Sequence, residues 1–114
     1  MTTSPPSPPP GDRLAKLMRL LDADPGDSFC LYGIAMEHVG RGAPEEAVRW
    51  FDRLLEIDPG HAYGYFHKAR TLASLGRVEE AIAALRTGGA VSRGDAKAAG
   101  EIAALLDSLG GSPA

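Results

Sequence analysis

Shifted by 34 residues, the chain falls on itself. Asp24-Pro25-Gly26 meets Asp58-Pro59-Gly60, and Glu45-Glu46-Ala47-Val48 meets Glu79-Glu80-Ala81-Ile82. The same offset lays Leu17 on Phe51, Leu20-Leu21 on Leu54-Leu55, Ala35 on Ala69 and Gly42 on Gly76. It also carries Ala69, Leu72, Leu75 and Gly76 onto Ala103, Leu106, Leu109 and Gly110. A tripeptide and a four-residue block at one offset exceed coincidence. Such a period marks one supersecondary unit used repeatedly, each copy burying its apolar side only against its neighbours.

Within the period the apolar residues keep helical spacing. Leu14, Leu17, Leu20 and Leu21 form one stripe near the start, and Ile102, Leu105, Leu106 and Leu109 another near the end. The pattern predicts six helices, at about 12–22, 27–39, 44–57, 61–75, 78–92 and 95–109. Asp27 suits an N-cap, and Pro44 with Glu45 and Glu46 suits a first helical turn. Gly40 and Gly42 end the second helix, and Gly76 ends the fourth. Gly88 and Gly89 each cost about 1 kcal/mol relative to Ala inside a helix. The fifth helix is nevertheless expected to continue through them, because a glycine on an inner face lets a neighbouring helix come close. Arg93-Gly94-Asp95 is the better stop-and-restart signal. By register, the first helix is the second half of a unit and the sixth is the first half of an unfinished one. Small residues, Ala35, Ala47, Ala69 and Ala81, fall where paired helices cross. Ile34, Phe51, Leu54, Leu72 and Leu85 fill the space between, and Pro59 closes a unit because it cannot continue a helix.

The 34-residue period, with Leu31, Ile34, Ala35, Ala47, Phe51 and Pro59 in one unit and Tyr65, Ala69, Leu72, Gly76, Ala81 and Leu85 in the next, resembles the tetratricopeptide-repeat family over about residues 13–109. More narrowly, the chain is similar to short bacterial proteins with two full repeats and flanking half-repeats. The resemblance implies an all-α, short right-handed α-solenoid of about six antiparallel helices that binds a protein or peptide. Two departures stand out. The aromatic usual late in the first helix of a repeat is His38 in one unit and Leu72 in the next, and the closing proline of the second unit is Arg93.

In this family the first helix of each repeat faces a concave surface. The resemblance therefore places Phe29, Tyr32, Gly33, Met36 and Val39 there, then Tyr63, Phe66, His67, Arg70 and Ser74, with Lys97, Glu101 and Ala104 from the last helix. Phe29, Tyr32, Met36 and Val39 step by three and four, as do Tyr63, Phe66 or His67, and Arg70, so each set shares a helical face. Aromatics and Met are enriched at binding surfaces, and Arg70 and Lys97 suit a partner's carboxylate. The candidate groove is Phe29, Tyr32, Met36, Tyr63, Phe66, His67, Arg70 and Lys97. The competing reading makes the stripe extra core or a self-association surface of a homodimer. Some members of the family hold chaperone C-termini in a clamp of Lys, Asn and Arg at these positions. This chain has no asparagine, so that activity is not expected.

Other chemistry finds little footing. Net charge is −3 with no block of like charge, which argues against a nucleic-acid partner. The lone Cys30 precludes an internal disulfide and reads as a small buried side chain. His38, His61 and His67 show no metal-ligand spacing, and no phosphate-binding glycine loop appears. No catalytic residues, metal or cofactor are expected. Residues 1–11, with five prolines, lack the charged and apolar regions of a secretory signal and read as an extended tail before a domain at 12–110, with a short tail at 111–114. No apolar run is long enough for a membrane span, so the expected location is the cytoplasm.

Overall fold

In a computed structural model the described residues, 9–92 and 94–111, form six helices and no strand. They are α1 (Pro9–Ala23), α2 (Ser28–Gly40), α3 (Pro44–Ile57), α4 (Ala62–Ser74), α5 (Val78–Val91) and α6 (Ala96–Ser108). The chain is an all-α solenoid: α2 pairs with α3 and α4 with α5, while α3 packs on α4, α1 on α2, and α6 on α5 and α4. No helix among the described residues is long and apolar enough to cross a membrane. Of the tails expected at 1–11 and 111–114, residues 1–8 and 112–114 lie outside the described residues, as does Arg93 at the closing position, while Gly111 is buried and donates to the Leu106 carbonyl.

One expectation needs correction. Helix α1 begins at Pro9, inside the segment read as tail, instead of near Asp12. Proline is tolerated in a first helical turn, because the N–H it lacks has no intrahelical acceptor there.

The 34-residue period governs the helix ends as well as the core. The first helix of each unit is capped by the side chain one register position before it. Asp27 Oδ1 accepts from the Cys30 N–H at 3.2 Å, His61 Nδ1 from the Gly64 N–H at 3.0 Å, and Asp95 Oδ1 from the Ala98 N–H at 3.0 Å. The same helices close on Gly42, Gly76 and Gly110, whose φ angles of 73°, 77° and 85° lie in the left-handed region that glycine adopts without strain. The residue after each glycine donates back to the carbonyl of His38, Leu72 or Leu106, satisfying a terminal carbonyl.

Two core clusters result. Leu17, Leu21, Cys30, Leu31, Ile34, Ala35, Ala47, Phe51 and Leu54 form the first, and Val48, Ala69, Leu72, Ala81, Ala84, Leu85, Ile102 and Leu106 the second. Burial and the nearby Asp27 push the Cys30 thiol up, which leaves it protonated and unreactive. Helix α5 runs unbroken through Gly88 and Gly89. Gly88 is buried there, and a Cβ on it would lie 2.7 Å from the Cβ of Tyr65 and 3.2 Å from the Cδ1 of Ile102.

Candidate partner-binding groove

Helices α2 and α4 carry all the candidate residues but Lys97, which lies on α6, and they carry them on equivalent faces, because Tyr32 and Phe66 occupy the same register position. Five of these side chains form one contiguous cluster. The Tyr32 and His67 rings meet edge to face at 5.9 Å between centroids, bridging α2 and α4. Phe66 stands edge-on to His67 at 5.1 Å and to Tyr63 at 6.1 Å. The Arg70 guanidinium lies 5.8 Å from the centre of the Phe66 ring. The other face of Tyr32 stacks on His61 at 5.0 Å, and its edge leans on the core ring of Phe51 at 6.5 Å. All four aromatic members are half-buried, and Arg70 is exposed. The cluster is thus anchored in the core from below and open above.

Beside it lies a cleft of about 500 Å³ between the two repeats, lined by Met36, Val39, Gly42, Pro44, His67, Arg70, Thr71 and Ser74. Helix α1 packs on α2, and α6 ties into the cluster at one point, where the Tyr63 hydroxyl donates to Glu101 Oε2 at 2.7 Å. Phe29 is 71% exposed and makes no ring contact with the others, and Lys97 is also exposed. The candidate set therefore divides: Tyr32, Tyr63, Phe66, His67 and Arg70 are in mutual contact, Met36 borders the adjoining cleft, and Phe29 and Lys97 stand apart.

Arg70 brings positive charge to the groove, and Glu101, bonded to Tyr63, brings negative charge. Arg70 makes no ion pair among the described residues, whose four salt bridges involve other side chains. Burial, with the positive charge of Arg70 next, holds the His67 imidazole below its ordinary value, so it is neutral at neutral pH. No group of three or more His, Cys, Asp or Glu among the described residues converges as a metal site would.

The Tyr63–Glu101 bond is open to direct measurement. Ionisation would remove the proton that Tyr63 donates, so the hydrogen bond, with burial and the Glu101 charge, pushes the phenol up to about 12. The stabilisation from this bond is complete below the ordinary phenol value near 10 and is lost as pH rises through about 12. Ultraviolet titration of Glu101→Gln is expected to bring one tyrosine back toward the ordinary range; an unchanged titration would show that the bond does not form.

A tetratricopeptide-repeat profile matches residues 38–106. The chain belongs to the tetratricopeptide-repeat family. A tetratricopeptide-repeat domain protein from Salinibacter ruber is similar in sequence as well as structure: 30% identity, covering 75% of this chain and 89% of that one, with a TM-score of 0.71. The type III secretion chaperone SycD of Yersinia enterocolitica, solved with a peptide of the translocator YopD, superposes with a TM-score of 0.83 at 17% identity, covering 89% of this chain and 79% of that one. PcrH, solved with the chaperone-binding region of PopD, gives a TM-score of 0.83 at 18% identity over 89% of this chain and 78% of that one. At these identities the likeness to SycD and PcrH is one of fold. No curated protein matches the sequence.

Within this tetratricopeptide-repeat protein, three features of the groove escaped the sequence reading. The His61 ring both caps α4 and stacks on Tyr32, roles that its helical spacing does not reveal. Gly42, in the turn between α2 and α3, and Pro44, the first residue of α3, form part of the cleft wall. The 34-residue register offers a signal for the first: His61 is equivalent to Asp27 and Asp95, both capping residues.

Proposed function

We propose that the chain is a protein-interaction module whose concave face holds an apolar segment of a partner protein, as an extended peptide or an amphipathic helix. The observation that carries this reading is the contiguous Tyr32–His67–Phe66–Tyr63 cluster, half-exposed and bordered by an open cleft with Arg70 at its edge. Aromatic rings anchored in a core and open on one side offer apolar area at little entropic cost on binding, which is how interface hot spots work. Arg70 supplies a cation for a partner's carboxylate, and the neutral His67 adds a polar edge without a second charge. SycD and PcrH, which share the fold, were each solved with a segment of a translocator protein, which supports a peptide-holding role for the same architecture.

The test compares wild type with the Tyr32→Ala/Phe66→Ala double variant. Affinity capture from the source cell's lysate with quantitative mass spectrometry identifies the partner, and calorimetry on the purified pair measures the affinity. Loss of both rings is expected to weaken binding by about 30-fold or more, with helical circular dichroism retained. Arg70→Glu is expected to weaken it further for an acidic segment. Equal capture by wild type and a folded double variant would sink the reading.

A further inference from the structure

The groove carries two charges of opposite sign, and neither has an ionic partner among the described residues. Arg70 stands exposed at the edge of the cleft, its guanidinium 5.8 Å from the centre of the Phe66 ring. Glu101, half-buried on α6, accepts from the Tyr63 hydroxyl at 2.7 Å. Lys97, one turn before Glu101 on α6, is exposed and forms no ion pair with it. Both charges reach the middle of the groove. Burial lowers the proton affinity of His67 most, Arg70 lowers it further, and Glu101 raises it.

Tyr63, which holds Glu101, and Arg70 are seven residues apart on α4, which is about 10 Å along the helix axis. The rings of Tyr63, Phe66 and His67 fill that interval in mutual contact. From the cleft toward α6 the groove therefore presents a cation, an aromatic floor and an anion. A partner that covered this floor with apolar residues alone would take both charges out of water with nothing in return. A desolvated charge is tolerated only beside its opposite. The penalty falls on every segment that lacks the matching charges, so the pair selects among partners more than it adds affinity.

We propose that the partner segment taken by this groove is bipolar: an acidic residue pairs with Arg70, a basic residue pairs with Glu101, and apolar side chains between them cover the rings. This rests on the peptide-holding reading of the same face. The interval of about 10 Å sets the spacing at about two turns of a helix, or seven residues, or at about three residues of an extended chain. Residues 1–8 of the chain carry no acidic or basic side chain, so its own N-terminal segment does not meet this specification.

A phage-displayed library of random dodecapeptides, panned on the full chain, tests this. Enriched sequences are expected to share an apolar core flanked by one acidic and one basic residue at one of the two spacings. Panning on Arg70→Glu is expected to exchange the acid for Lys or Arg, and panning on Glu101→Lys to exchange the base for Asp or Glu. In calorimetry with a synthetic peptide of the wild-type consensus, Arg70→Glu is expected to weaken binding by about tenfold or more. The same peptide with its acid changed to Lys is expected to bind Arg70→Glu again, a rescue that an unfolded variant could not show. An apolar consensus without the charged pair, or one consensus from all three proteins, would overturn the inference and leave the peptide-holding reading standing. Peptides that bind Tyr32→Ala/Phe66→Ala as well as wild type, or no enrichment at all, would overturn both. Sedimentation of the unliganded chain as two copies that Arg70→Glu separates would overturn the inference in favour of a second copy as the occupant.

Discussion

Phe51→Ala is expected to lower the unfolding free energy by about 3–5 kcal/mol and the melting temperature by more than about 10 °C. Phe51 is 0% exposed and is the largest side chain in the first core cluster, where Leu17 of α1, Leu31 and Ile34 of α2, and Leu54 of α3 converge. Truncation removes its transfer energy and leaves a cavity, because helices joined by short turns on both sides cannot slide together to fill it. The loss is a large part of the roughly 5–15 kcal/mol that holds a domain of this size. Urea denaturation followed at 222 nm measures it. The effect should also reach the groove, since Tyr32 rests edge-on against Phe51. A loss below about 1 kcal/mol would mean that the core is not packed around this ring.

Neighbouring glycines in α5 are expected to respond to alanine with opposite signs. Alanine gains about 1 kcal/mol over glycine in a helix interior by propensity alone. At Gly89 the added methyl would meet only Ile102 Cγ2 at 3.9 Å, an ordinary contact, so Gly89→Ala is expected to stabilise by about 0.5–1 kcal/mol. At Gly88 the methyl would sit 2.7 Å from the Cβ of Tyr65, an atom fixed to the α4 backbone, and 3.2 Å from Ile102 of α6. Making room means moving α4 or α6 away from α5. Overpacking of this kind costs about 1–3 kcal/mol before the propensity gain is subtracted, so Gly88→Ala is expected to destabilise by about 1–2 kcal/mol. Denaturation of both variants at low protein concentration decides it. Equal stabilisation by both would show that the three helices do not meet at Gly88.

Much of this fold was legible because a repeat converts tertiary packing into a local pattern. The residues that matter to the fold recur every 34 positions: Ala35 with Ala69, Phe51 with Leu85, and Gly42 with Gly76 and Gly110. Each unit buries its apolar side against an identical neighbour, so the core can be read from one unit and extended to the rest. Helix starts were legible where a capping side chain announced them, as at Asp27, and less so at Pro9, where proline suits both an extended tail and a first turn.

The groove was legible only as a face. Spacing placed Tyr32, Met36, Tyr63, Phe66, His67 and Arg70 along two helices. Which of them touch depends on the crossing of α2 and α4, which no single helix encodes. That crossing sets Tyr32 against His67 and leaves Phe29 standing 71% exposed. Likewise, Tyr63 and Glu101 are 38 residues apart, and only the approach of α6 to α4 brings them to 2.7 Å.

The amino-acid sequence by itself determined the helices, their pairing and the repeat family, because periodic burial of small and large apolar residues admits one stacking. The open or closed state of each surface was decided only in three dimensions. Exposure is a property of what lies opposite a residue, so of Ala69 and Ala103, identical in type and register, the first is buried in the core and the second is exposed.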